Sequence, residues 1–154
     1  MEKKIVFVLK NQNGQEIKSE DIKDKKILLS FHPLAWTSVC AKQMQSIEKN
    51  YKKFLDLNTV PFGISVDPQP SKKAWAQKLK IKKLQLLSDF WPHGEFSSSL
   101  DLFIKKFGFT ARANVILDEN KKIIFKKIYP IKQLPDIKEI ISFLNEKNKG
   151  GEKL

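Results

Sequence analysis

Residues 26–40 read Lys-Ile-Leu-Leu-Ser-Phe-His-Pro-Leu-Ala-Trp-Thr-Ser-Val-Cys. Lys26 to Phe31 is a nearly continuous apolar run, the pattern of a central strand buried on both faces. Pro33 ends it, because proline has no N–H to give to a strand ladder. From Cys40 onward Met44, Ile47, Tyr51, Phe54 and Leu55 fall at helical spacing with polar residues between them. That spacing predicts one long amphipathic helix. A buried strand followed by a short loop and a helix opens a βα unit. In an open α/β sheet such a loop lies at the carboxyl end of the strands, where ligands bind. Residues 31–40 are therefore where chemistry is expected.

The rest of the chain extends this unit in both directions. Before it, Lys4 to Lys10 alternates, Asn13-Gly14 is a turn dipeptide, and Gln15 to Lys18 can return, so an N-terminal β-hairpin is expected. After it, Val60 to Val66 reads as a strand, Ser71 as the cap of a short helix through Trp75 and Leu79, and Leu84 to Leu87 as a further strand. Phe96, Leu100, Phe103 and Phe107 suit a helix ending by Gly108, or a shorter helix followed by a loop. Ala113 to Leu117 and Lys122 to Ile128 flank the turn 118–121 and predict a hairpin. Pro135 opens a last helix with Ile137, Ile140, Ile141 and Leu144 on its apolar face. The alternation of strands and helices predicts an α/β fold, a central mixed sheet with helices on both faces. Residues 1–147 form a single domain in this reading, and 148–154 a flexible C-terminal tail.

Length and composition fit that expectation and narrow the chemistry. The chain has 154 residues, 41% of them hydrophobic and 11 of them Phe, enough to build one core without staples. The apolar run Ile5 to Leu9 is too short for a signal peptide, and no run of about eighteen apolar residues follows. The expectation is a cytoplasmic protein with no membrane contact. Net charge is +12, from 29 basic and 17 acidic residues. The positive charge is spread along the chain as lysine doublets, which marks a solvated surface and makes nucleic acid an improbable partner. A single arginine, Arg112, stands among the 29 basic residues. A guanidinium fork is what lysine cannot replace, so Arg112 is a candidate functional residue.

The only cysteine is Cys40. One thiol excludes an intramolecular disulfide, a CxxC pair and a multi-thiolate zinc site. His32 and His93 lack acidic or thiol neighbours at ligand spacing, so no metal and no cofactor is expected. With Thr37 or Ser38 as the cap, Cys40 occupies the first turn of the helix. Unpaired backbone N–H groups and the positive dipole end favour a thiolate there. Thr37, three residues earlier, can share a face with the sulfur.

Pro33-Leu34-Ala35-Trp36-Thr37-Ser38-Val39-Cys40 resembles the P-x-x-x-T-S/T-x-x-C signature of the peroxiredoxins. The resemblance continues through Ile64-Ser65-Val66-Asp67, Trp75, Leu87 to Gly94, and Arg112, and so covers most of the chain. The segment Ser88 to Gly94 is most similar to the AhpE-like one-cysteine group. The resemblance implies a thioredoxin-like fold and thiol-dependent reduction of hydrogen peroxide or alkyl hydroperoxides. It places Cys40 in the peroxidatic position, with Thr37, Arg112 and Pro33 around it and the backbone N–H groups of Val39 and Cys40 as oxyanion donors. With no second cysteine, an external thiol would recycle the enzyme: thioredoxin, glutaredoxin or a low-molecular-weight thiol. Trp36, Phe90, Trp91 and His93 would line a homodimer interface, with His93 capping a helix or joining that interface. Three positions depart from the family: no Ala-Pro-Asp-Phe segment precedes Phe7, Asp101 stands where a glycine is usual, and Gln43 stands where several groups carry a carboxylate. The competing classes are a thioredoxin-like binding protein without catalysis and a basic nucleic-acid-binding module. Neither requires Thr37, Cys40 and Arg112 together.

Overall fold

The computed structural model describes residues 3–152. Nine strands and five α-helices follow one another: β1 (Val8–Lys10), β2 (Glu16–Lys18), β3 (Lys26–Phe31), α1 (Ser38–Lys49), α2 (Tyr51–Asp56), β4 (Thr59–Ser65), α3 (Gln69–Leu79), β5 (Gln85–Ser88), α4 (Glu95–Ser99), β6 (Phe103–Ile104), β7 (Phe109–Thr110), β8 (Arg112–Leu117), β9 (Ile123–Tyr129) and α5 (Ile137–Glu152). Seven strands form one mixed sheet in the order β2-β1-β5-β4-β3-β8-β9, and β6 and β7 pair separately. β3 runs parallel to β4 and antiparallel to β8, with Leu28 opposite Pro61 on one side and Ile116 on the other. All six of its residues are buried, as its apolar run requires.

The two faces of β3 serve two cores because side chains alternate along a strand. Leu28 joins Leu86 and Ile116 under Met44 and Ile47 of α1, Phe54 of α2, Trp75 of α3, and Ile140 and Leu144 of α5. Ile27, Leu29 and Phe31 face the other way, onto Phe7, Phe62, Ile64, Phe96 of α4, Leu100 and Leu102. The uneven sharing of helices follows from handedness. β3, β4 and β5 step across the sheet in one direction, and right-handed crossovers then put α1 and α3 on the same face. Gly63 of β4 sets how closely α1 approaches: a Cβ there would lie 2.3 Å from Met44 Sδ. That close contact seats the helix whose first turn carries Cys40.

Several boundaries differ from the sequence expectation. The helix expected to run on from Cys40 through Leu55 breaks at Asn50 (φ −102°, ψ 15°), whose amide Nδ2 donates to the Ser46 carbonyl and competes with the helical ladder. α3 begins at Gln69 with Pro68 at its N-cap, so Ser71 lies inside the helix and caps nothing. α4 stops at Ser99; Phe103 lies in β6 and Phe107 in the loop before β7, the shorter of the two alternatives. Asp101, at a position where the family carries glycine, has a left-handed φ of 59°. Aspartate is among the few residues that tolerate that conformation, so the turn keeps its glycine-like path. α5 continues past Asn148, where the tail was expected to start, and 153–154 lie outside the described residues.

Candidate active site

β3 delivers the chain to Pro33 at the carboxyl end of the sheet, and α1 carries it away again. Between them the loop is tied down. The Asp67 carboxylate accepts from the Ala35 N–H at 2.8 Å and from the Ser65 hydroxyl, and Trp36 Nε1 donates to Ser71 Oγ at 3.1 Å. Trp36 itself takes a left-handed φ of 69°, which reverses the chain into the helix. Thr110 Oγ1 donates to the His32 carbonyl at 3.1 Å from the adjoining strand β7.

Cys40 is fully buried at the third position of α1. The first helical bond is given by Ala41 N to Thr37 O. The N–H groups of Val39 and Cys40, ahead of it, therefore stand outside the helix's own ladder and point out of its positive end. Arg112 opens β8, and β3 pairs with that strand from Phe31 opposite Ala113 onward. Arg112 is 3% exposed, and its guanidinium makes three contacts: Nη1 to Cys40 Sγ at 3.3 Å, Nη1 to Gln43 Oε1 at 2.7 Å, and Nε to the Ile131 carbonyl at 2.8 Å. A planar fork held at two points presents its third contact to the sulfur without freedom to swing.

Gln43, which the sequence marks only as a departure from a carboxylate-bearing position, has a role there that the sequence reading did not assign. Its side-chain Nε2 donates to Ser30 Oγ at 2.8 Å and to the Phe31 carbonyl at 3.1 Å, which leaves Oε1 to receive Arg112. One buried amide thus ties strand, helix and arginine together. The signal for it was present: Gln43 is one turn on from Cys40, adjacent to the core residue Met44. A second buried group was also missed. Lys72 Nζ lies 2.8 Å from His32 Nε2, and both side chains are completely buried. Lys72 shares the inward face of α3 with Trp75 and Ala76, the i, i+3, i+4 spacing that should have marked it as a core lysine.

The remaining expected residues fall as follows. Pro33 is buried beside the loop. Thr37 occupies the N-cap position but its side chain caps no helical N–H; Oγ1 is exposed and donates to the Leu34 carbonyl at 2.8 Å. Trp36 (54% exposed), Phe90 (45%) and Trp91 (84%) present aromatic surface to solvent. His93 does not cap α4: its Nε2 lies 2.8 Å from the Gly108 carbonyl. The cap is Asp89, whose carboxylate accepts from Phe96 N at 3.0 Å and Ser97 N at 2.8 Å. Among the described residues no group of three His, Cys, Asp or Glu could hold a metal ion, and no helix is long and apolar enough to cross a membrane.

This arrangement has counterparts in known proteins. The AhpC/TSA family matches residues 2–126. The chain belongs to that family, the peroxiredoxins. Alkyl hydroperoxide reductase E of Mycobacterium tuberculosis is 32% identical over 123 residues, which are 79% of this chain and 80% of the relative. The mitochondrial thioredoxin-dependent peroxide reductase of Drosophila melanogaster is also 32% identical, over 79% of this chain and 52% of the relative. The fold is shared with the crystal structure of Enterococcus faecalis AhpC (TM-score 0.90, 21% identity, 99% of this chain and 94% of that one). It is shared also with the reduced 2-Cys peroxiredoxin of Plasmodium vivax (TM-score 0.86, 22% identity, 96% of this chain and 80% of that one). As a peroxiredoxin the chain is a thiol-dependent peroxidase with a thioredoxin-like α/β fold. It differs from a two-cysteine enzyme in one countable respect, its single cysteine.

Proposed function

We propose that this peroxiredoxin reduces hydrogen peroxide or alkyl hydroperoxides through Cys40 by a one-cysteine mechanism. The observation that carries the reading is the 3.3 Å contact between the sole arginine and the sole cysteine, at the open end of α1. The Cys40 thiolate attacks one peroxide oxygen; an S–O bond forms as the O–O bond breaks, and sulfur gives two electrons to the peroxide. Negative charge moves onto the departing oxygen, which takes a proton and leaves as water or alcohol. Arg112 and the Val39 and Cys40 N–H groups are the donors assigned to that charge, preorganised as in an oxyanion hole, and the Thr37 hydroxyl joins them by turning its proton away from the Leu34 carbonyl. Buried Pro33 screens the sulfur from water.

The product is a Cys40 sulfenic acid with no internal thiol to condense with. An external thiol, a small molecule or a redox protein such as thioredoxin or glutaredoxin, forms a mixed disulfide with Cys40, and a second thiol releases it. A reducing compartment suits this cycle, and the cytoplasm is the compartment assigned. The exposed aromatics Trp36, Phe90 and Trp91, with His93 beside them, support a homodimer built on these loops. One equivalent of peroxide without reductant tests the mechanism: intact mass rises by one oxygen, dimedone traps the product, and Cys40→Ser shows neither. Many turnovers without added thiol would overturn the one-cysteine reading.

A further inference from the structure

Arg112 is a buried cation with an unusual set of partners. A guanidinium stays charged inside a protein, and a charge taken out of water calls for an opposite one. Among the described residues no carboxylate forms an ion pair with it. Nε donates to the Ile131 carbonyl at 2.8 Å, and Nη1 is divided between Gln43 Oε1 at 2.7 Å and Cys40 Sγ at 3.3 Å. Two of the three acceptors are neutral, and the third is the sulfur that reacts.

Gln43 is held where only an amide fits well. It is buried, and its Nε2 donates to Ser30 Oγ at 2.8 Å and to the Phe31 carbonyl at 3.1 Å. A carbonyl can only accept, so the group facing Phe31 must carry a hydrogen; an ionised carboxylate in the same place would set a second oxygen against that carbonyl. The amide oxygen fixes Arg112 and leaves its charge undivided, so guanidinium and thiolate together sum to zero. A carboxylate at position 43 would add a negative charge within about 6 Å of the sulfur, the two contact lengths laid end to end. The centre would then repel an incoming anion.

We propose that Gln43 is a positioning residue that sets charge specificity: it holds Arg112 with a neutral acceptor, so that the site takes hydroperoxides carrying an anion beside the O–O bond as well as uncharged ones. The inference rests on Cys40 as the peroxidatic residue. The step balances for such a substrate. With peroxymonosulfate, HOO–SO₃⁻, an S–O bond forms to the terminal oxygen, which keeps its hydrogen, and the O–O bond breaks. Sulfur loses two electrons, the departing oxygen gains them, and sulfate leaves. With tert-butyl hydroperoxide the same bonds change, and the departing alkoxide takes a proton from solvent. The two reagents carry tetrahedral groups of similar shape on the peroxide and differ in charge.

The test is the stopped-flow rate of Cys40 oxidation by each reagent at one pH. The ratio of the two rates in one protein cancels the reactive fraction of the sulfur and the folded fraction of the chain, so lost packing alone does not move it. In Gln43→Glu the ratio of peroxymonosulfate to tert-butyl hydroperoxide is expected to fall about tenfold or more, the effect of a like charge at this separation. Gln43→Met, neutral and without an acceptor, is expected to slow both reactions and keep the ratio within about threefold of wild type. Asp67, whose carboxylate binds the Ala35 N–H of the same loop, is common to all three proteins and drops out of the comparison. If Gln43→Glu does not fold, wild type decides: its ratio, divided by that of a free cysteine thiolate, is expected to be about one or more. A wild-type value about tenfold below one, a Gln43→Glu ratio within about threefold of wild type, or an about tenfold loss in Gln43→Met overturns this inference alone. Peroxide consumption that persists undiminished in Cys40→Ser overturns the proposed mechanism, and this inference with it.

Discussion

Arg112→Lys keeps the charge and removes the fork, which makes it the sharpest perturbation of the site. Wild-type Arg112 serves the Ile131 carbonyl, Gln43 Oε1 and Cys40 Sγ with bonds from two different nitrogens. A lysine ammonium is a single point and cannot reach the Ile131 side and the sulfur side together. The structural costs are unequal. The Ile131 carbonyl sits in a partly exposed turn and water can replace its donor, at about 1 kcal/mol. Gln43 is buried and its other end is fixed by Ser30 and Phe31, so an orphaned Oε1 costs about 1–3 kcal/mol. The variant still folds on these figures. Its chemical loss is larger, since a displaced oxyanion donor costs about 10²–10³ in rate. Stopped-flow measurement of Cys40 oxidation under pseudo-first-order peroxide separates the two, because it reports only folded enzyme. A rate within about threefold of wild type would refute the assignment, the predicted loss being about a hundredfold or more.

Gln43→Leu removes the amide that joins Arg112 to β3, strands three buried polar partners, and is expected to lower stability by about 2–4 kcal/mol. For a chain of this length each kcal/mol moves the melting temperature by about 2–4 °C, so differential scanning calorimetry reads the effect directly. The stability difference between wild type and Lys72→Met should depend on pH. The folded lysine releases its proton at about 7 while the unfolded one holds it to its ordinary 10.5, so the unfolded chain binds more protons between those values. Wild type therefore gains on the variant as pH rises above about 7, by at most about 1.4 kcal/mol per unit in urea titrations. The lowered His32 works at the acid end: the unfolded imidazole charges below its ordinary 6.5 and the folded one does not, so stability falls with pH there, and His32→Phe flattens that limb. Trp36→Lys puts a charge into the exposed aromatic surface and should convert a dimer to monomer in sedimentation velocity; a wild type already monomeric at tens of micromolar would contradict the interface.

The central strand, the loop and the helix start were legible because their signals are local. Lys26 to Phe31 is apolar throughout because both its faces are buried, Pro33 stops the ladder wherever it occurs, and Cys40 stands three residues into a helix whose apolar spacing begins at once. The sole arginine and the sole cysteine could likewise be singled out by counting. Local competition was harder to weigh: Asn50 breaks a helix whose apolar spacing runs through it, and Asp89 rather than His93 caps α4. What pairwise spacing cannot carry is who meets whom across the sheet. Arg112 and Cys40 are 72 residues apart and touch only because β8 lies beside β3. The same holds for Lys72 and His32, 40 residues apart, and for the two ends of Gln43. A lysine on a helix reads as surface until packing turns its face inward. Burial then changes the chemistry, because a charge that water would have solvated must be balanced by the few groups the fold has brought within reach.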